Sequence, residues 1–190
     1  MRLLGLLVAW IVLLALLLGL FELILHTFHT PFGDSLVEPQ AQMQTWEYLL
    51  QQHYVSLIDV DLFSIHEKRH LLDVKRLFDR LYLLWLILLA VGSAGGVLLY
   101  VRFRSTFKRL RYDLWIMGVG SALLLIMALI FFQESFEWLH QLLFPCQSWL
   151  FPPDSLLIEW FPEVYFIEFI GLYLLLLTLL LWWFKPQKKA

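Results

Sequence analysis

The densest group of reactive side chains is His66-Glu67-Lys68-Arg69-His70, followed one helical turn later by Asp73. On a helix turning about 100° per residue, His66, Glu67, His70 and Asp73 share one side with Val74, Leu77 and Phe78, while Lys68, Arg69, Lys75, Arg76 and Arg80 fall opposite. A carboxylate one helical step from an imidazole can orient the ring and stabilise its protonated form, which makes Glu67 and Asp73 natural companions of a general base at His70. A second group, Glu134, Glu137 and His140, lies far along the chain, with Phe136, His140 and Phe144 in an aromatic stripe at steps of four. Pro145, Trp149 and Phe151-Pro152-Pro153-Asp154 follow it. Two histidines on separate segments can meet in one cavity and serve acid–base chemistry together. The first group also reads H-E-x-x-H, a pattern that on a helix can bind zinc through His66 and His70 with Glu67 as base, and His140, Glu134 or Glu137 would have to complete the ligand set.

The elements that must position these residues are membrane helices. Of 190 residues, 61% are hydrophobic and 16% charged, against about 45–50% and about 25% in soluble domains. The excess is concentrated in four runs, 3–25, 81–101, 114–132 and 164–184, each long enough to cross a hydrocarbon core of roughly 30 Å. The expected fold is all-α, a polytopic membrane protein with a four-transmembrane-helix bundle forming one integral membrane domain over 1–190. Its first run is twice the length of a signal-peptide core and is read as a retained helix. With the spans using nearly half the chain, any chemistry belongs to the bundle or to the longer connections. A net charge of −2 excludes a strongly basic nucleic-acid binder, and the single cysteine, Cys146, excludes an intrachain disulfide or a multi-cysteine metal site.

Orientation follows from the basic residues. Arg2, the 102–112 cluster and Lys185, Lys188 and Lys189 contribute nine on one side, against five on the other, where 15 of the 16 acids also lie. The positive-inside rule then puts both termini and the 102–112 loop in the cytoplasm and the segments 26–80 and 133–163 outside. All six histidines are in those external segments. The first opens with the turn-rich His29-Thr30-Pro31-Phe32-Gly33-Asp34-Ser35. Met43, Trp46, Leu50, Tyr54 and Leu57 then recur at steps of three or four, which predicts an amphipathic helix over 39–58 ending near Asp59 and Asp61; Trp46 and Tyr48 suit it to the membrane interface. A further helix is expected from Ser64, with Glu67 completing a capping box, continuing without Pro or Gly into the second span. Gly92, Gly95 and Gly96 in the second span and Gly118 and Gly120 in the third predict close helix packing in lipid.

Glu67-x-x-His70-x-x-Asp73-Val74-Lys75 leading into a span resembles the first signature of the bacterial lipoprotein intramolecular transacylases. Phe136-x-x-x-His140-x-x-x-Phe144-Pro145, with Trp149-Leu150-Phe151 and Leu157-Ile158-x-x-Phe161-Pro162-Glu163, looks like the second. Pro152 stands where an acid is associated with the family. The resemblance implies movement of the sn-2 acyl chain of a diacylglyceryl-cysteine lipoprotein to the α-amino group of the same cysteine, through a ring of roughly eight atoms whose closure depends on holding both ends together. It implies His70 and His140 as catalytic residues with Asp73 and Glu67 beside them, and His66 as incidental. It places Lys75, Phe136, Trp149 and Glu137 on the substrate, with Lys75, Trp149 and backbone amides open as oxyanion donors. No cofactor and no metal are implied, because an ester becomes a more stable amide. The expected partners are the lipoprotein and the phospholipid bilayer of a bacterial cytoplasmic membrane, with the protein a monomer. A membrane zinc metalloprotease and a non-enzymatic lipid-binding or assembly protein are the alternatives on the residues alone.

Overall fold

The computed structural model describes residues 2–33, 38–50, 62–144 and 148–186. Among the described residues the chain is entirely helical, with α1 Arg2–Leu25, α2 Pro39–Leu50, α3 Ile65–Arg102, α4 Arg104–Ile130, α5 Phe132–Leu143, α6 Leu156–Trp160 and α7 Glu163–Phe184. Four stretches are long and apolar enough to cross a membrane: α1, α3, α4 and the segment from α6 through α7. Asp34, Ser35, the 51–58 end of the amphipathic pattern with Tyr54 and Leu57, Asp59, Asp61, Pro145, Cys146, Lys188 and Lys189 lie outside the described residues.

The expected capping box begins α3. Ser64 N–H donates to Glu67 Oε2 at 2.8 Å, and Glu67 N–H donates to Ser64 Oγ at 3.3 Å, satisfying donors that a helix start otherwise leaves open. The helix then runs for 38 residues without a break, about 57 Å at about 1.5 Å per residue, so its first half precedes the apolar span. The stretch 102–112, expected to be a loop, is helical apart from Phe103. It contains no Pro or Gly, and five of its eleven residues are Arg or Lys, which are good helix formers, so its charges occupy a helix surface.

The chain forms two compact units. Met1–Ile24, Tyr82–Met127 and Gly171–Ala190 make up the first, and Leu25–Leu81 with Ala128–Ile170 the second. The core of the first comprises Val8, Ala9, Leu13, Leu99, Leu110 and Leu114. A Cβ built at Gly95 would come within 2.9 Å of Val8 Cγ2, on a stiff β-branched side chain, and one at Gly118 would displace the end of the Leu181 side chain, so both glycines serve close packing. Gly96 and Gly120 face open space. Arg111 donates from Nε to the Phe184 carbonyl at 3.1 Å and from Nη2 to that of Trp183 at 2.5 Å, placing a cation on the orphan carbonyls that end α7.

The second unit is aromatic. Trp46 packs against His29 at 4.6 Å, Phe161 at 5.5 Å and Tyr165 at 6.3 Å between ring centroids. Its indole N–H donates to the His29 carbonyl. The amphipathic pattern of α2 therefore turns its Trp46 face inward, with Gln42, Thr45 and Leu49, and Trp46 does not serve as a membrane anchor. Phe28 stacks on Tyr165, whose hydroxyl donates to the Phe28 carbonyl at 3.0 Å. The turn after Pro31 closes at Gly33, whose φ of +86° suits a residue without a Cβ.

Candidate active site

The second unit brings His70 and His140 to one aromatic enclosure. His70 meets the Phe144 ring edge-on at 4.9 Å and Phe151 at 5.4 Å. His140 lies 5.8 Å from the same Phe144, 5.2 Å from Trp149 and 4.0 Å from Phe136. Phe136 is backed in turn by Phe132 and Phe166. The stripe foreseen on α5 is thus one wall of the site, because side chains four apart share a helix face.

The two imidazoles differ in their fixing. His140 Nδ1–H donates to the Phe136 carbonyl at 2.8 Å, which selects the tautomer whose Nε2 carries the lone pair. Burial lowers the pKa of His140, and the same carbonyl bond partly offsets it. His70 Nδ1 is buried with no hydrogen-bond partner. Burial, then the neighbouring His140, push the pKa of His70 down to about 4, against the pull of Asp73, while His66 lowers it further. Both rings are consequently neutral near pH 7. Trp149 Nε1, a donor, is a second buried nitrogen without a partner, beside His140.

Neither flanking carboxylate hydrogen-bonds to His70. Glu67, only 6% exposed, keeps both oxygens occupied: Oε2 accepts from Ser64 N–H, and Oε1 from Ser155 Oγ at 2.9 Å and Leu157 N–H at 3.3 Å. Burial works to raise its pKa, but the bonds from Ser64, Ser155 and Leu157 outweigh it and leave the carboxyl more acidic than usual. Glu67 thereby ties the start of α3 to the start of α6. Asp73 accepts from Ser148 Oγ at 3.4 Å and pairs with Arg76 at 3.7 Å; its charge acts on His70 without a hydrogen bond. A helical wheel gives the face of a residue but not the neighbour that arrives there: Glu67 turns to Ser155 and Leu157, whereas Asp73 favours the protonated His70 ring through its charge alone. Ser148 and Ser155 were missed. Ser155 had one usable signal, a small hydroxyl residue immediately before Leu156-Leu157-Ile158-Glu159, the usual type for a helix start.

The remaining residues separate. Phe136 and Trp149 line the enclosure. Lys75 pairs with Asp79 at 3.6 Å and lies over the Tyr48 ring, and Glu137 accepts from Gln141 on the exposed surface of α5. His66 faces Phe151 at 5.0 Å with Nε2 near the Leu150 carbonyl at 3.4 Å, so Phe151 packs against both His66 and His70. Among the described residues no three His, Cys, Asp or Glu side chains converge as metal ligands. With both Glu67 oxygens engaged, the H-E-x-x-H segment does not present the free base that a zinc hydrolase requires.

Fold and site together define an all-α integral membrane protein with four candidate spans and a histidine pair in an aromatic enclosure ahead of the second span. The model of the family described as lipoprotein intramolecular transacylase Lit matches residues 37–166, and the chain belongs to that family. The in meso structure of the membrane integral lipoprotein intramolecular transacylase Lit from Bacillus cereus is similar in fold, with a TM-score of 0.70 and 20% identity over 95% of this chain and 92% of that one. No curated protein matches the chain.

Proposed function

We propose that this protein transfers the sn-2 acyl chain of a diacylglyceryl-cysteine lipoprotein to the α-amino group of that cysteine. The observation that carries the reading is the fixed tautomer of His140, a bare Nε2 in an aromatic enclosure that also holds the unpartnered polar atoms of His70 and Trp149. In this reaction the cysteine nitrogen bonds to the ester carbonyl carbon and the carbonyl–glycerol C–O bond breaks. His140 Nε2 takes one proton from the attacking nitrogen and returns it to the departing glycerol oxygen, so a single proton completes the circuit. His70, held neutral, accepts a hydrogen bond from the amine at its free Nδ1 and aims the nitrogen lone pair. Trp149 Nε1–H supplies the donor for the oxygen that becomes negative as the tetrahedral centre forms. Asp73 sets the field at His70, while Glu67 positions α3 against α6. The aromatic walls accommodate the acyl chains and hold the ends of the floppy ring in reacting geometry, where most of the acceleration originates.

The charge asymmetry supports an arrangement with both termini in the cytoplasm of a bacterial cell and the site outward, where a lipoprotein anchored in the outer leaflet can reach it. The test is mass spectrometry of the N-terminal peptide of a lipoprotein reconstituted with and without this protein. An acyl group moved to nitrogen with a free sn-2 hydroxyl is expected. A shortened polypeptide would replace the reading by a protease, and an unchanged peptide by a lipid-binding protein.

A further inference from the structure

Helix α5 has three faces of different character. At about 100° per residue, Phe132, Phe136 and His140 form one strip, and it packs into the aromatic enclosure through Phe136 on Phe166 and His140 on Trp149. Gln133, Glu134, Glu137 and Gln141 occupy one flank, and all four are exposed. The other flank carries Phe131 just before the helix, then Trp138, Leu139 and Leu142, exposed at 50%, 64%, 45% and 62%. Two solvent-facing flanks of opposite polarity on one short helix are costly in a single solvent: the apolar side would leave four large side chains in water, and a fully submerged helix would strip water from two carboxylates. The apolar flank also continues directly from the end of α4, where Ile130 is 65% exposed, and α4 is long and apolar enough to span. Ile130 and Phe131 are consecutive, so exposed apolar side chains end the spanning helix and begin the α5 flank, on which Ser135 is the one polar residue.

We propose that α5 lies in the plane of the membrane with Phe131, Trp138, Leu139 and Leu142 sunk among lipid acyl chains and Glu134, Glu137 and Gln141 in water. The occupant of this flank is the leaflet itself. A mixed Trp and Leu face opposite acidic and amide groups is the composition of a helix at the interface. One consequence rests on the function proposed above: because His140 is on the strip between the flanks, the helix fixes the depth of the base at the level where acyl chains meet glycerol, which is where the scissile ester resides. α2, whose sequence also has an interfacial pattern, cannot do this through Trp46, which is buried.

Single cysteines at Trp138, Leu139, Leu142, Glu134 and Gln141, in a Cys146→Ser background, are spin-labelled in full-length protein in phosphatidylglycerol–phosphatidylethanolamine nanodiscs. Electron paramagnetic resonance saturation then compares relaxation by oxygen, which partitions into lipid, with relaxation by a water-soluble nickel chelate. Oxygen should be the stronger relaxant at 138, 139 and 142, and nickel at 134 and 141. Nickel dominance on both flanks would overturn the proposal, as would oxygen dominance on both. Labels at 138 and 142 that neither relaxant reaches, with dipolar broadening between copies, would replace the leaflet by a second chain. The depth readout is independent of turnover: a lipid-embedded flank with no acyl transfer would sink only the proposed reaction, and a wet flank with normal transfer only this inference.

Discussion

With Nδ1 of His140 committed to the Phe136 carbonyl, only its Nε2 is available for proton traffic in the proposed reaction. His140→Ala and His70→Ala are each expected to lower single-turnover acyl transfer by about 10²–10⁴-fold. Under the proposed mechanism the pair acts on one substrate as a unit, so the double variant should cost little more than the worse single one. His66→Ala, by contrast, should retain most activity and be insensitive to chelator; equal damage at 66 and 70 together with stoichiometric zinc would point to a metal site. His70 also couples stability to pH. Its folded pKa of about 4 is below the ordinary imidazole value of 6.5, so between those values the unfolded chain binds the additional proton. Stability should therefore be full above pH 6.5 and fall as the pH drops toward about 4, then level off for this group. Melting of the purified protein against pH should show this slope, and His70→Phe should flatten it.

The join between α3 and α6 depends on one carboxylate serving three donors. Removing the Glu67 side chain leaves Ser155 Oγ and the Leu157 amide buried without an acceptor, a loss of about 1–3 kcal/mol. In a double-mutant cycle of Glu67→Ala and Ser155→Ala, read by chemical denaturation, the two losses should fail to add by about 0.5–3 kcal/mol. Strict additivity would mean that the contact carries no energy. This tie also marks the limit of what the chain reveals in one dimension. The Ser64–Glu67 capping box is local and was legible, as were α1, α7, the unbroken α3 and the aromatic stripe of α5, since each follows from spacing within a few turns. The partners of Glu67 come from 88 and 90 residues away, and no periodicity encodes that meeting. The helical 102–112 stretch was obscured for a different reason: basic charge identifies the side of a membrane without stating the backbone conformation. Trp46 was misplaced because an amphipathic pattern shows that one face is apolar, and the fold decides whether lipid or protein covers it.

At the scale of the whole molecule the charge asymmetry makes a topological prediction. In the Cys146→Ser background, Asp154→Cys should react with an impermeant maleimide added to intact spheroplasts, and Ser105→Cys only after the membrane is opened. Labelling of Ser105 from outside would invert the orientation and with it the leaflet from which substrate arrives. The enclosure of Phe136, Phe144, Trp149 and Phe151 around the histidines has a further effect on the balance between two fates of the same ester. A base beside an ester carbonyl will activate water as readily as an amine, and a protein that admitted water there would be a lipase, releasing free fatty acid and stripping the lipoprotein of one anchor chain. Apart from the Trp149 indole N–H, the aromatic walls offer an incoming water few hydrogen-bond partners, so in the proposed reaction a nucleophile covalently attached to the substrate is favoured. Opening that wall with Phe144→Ser or Phe151→Ser should raise the ratio of released fatty acid to N-acylated product even where total ester consumption declines, and the ratio measures how far the membrane anchor is protected by exclusion of solvent.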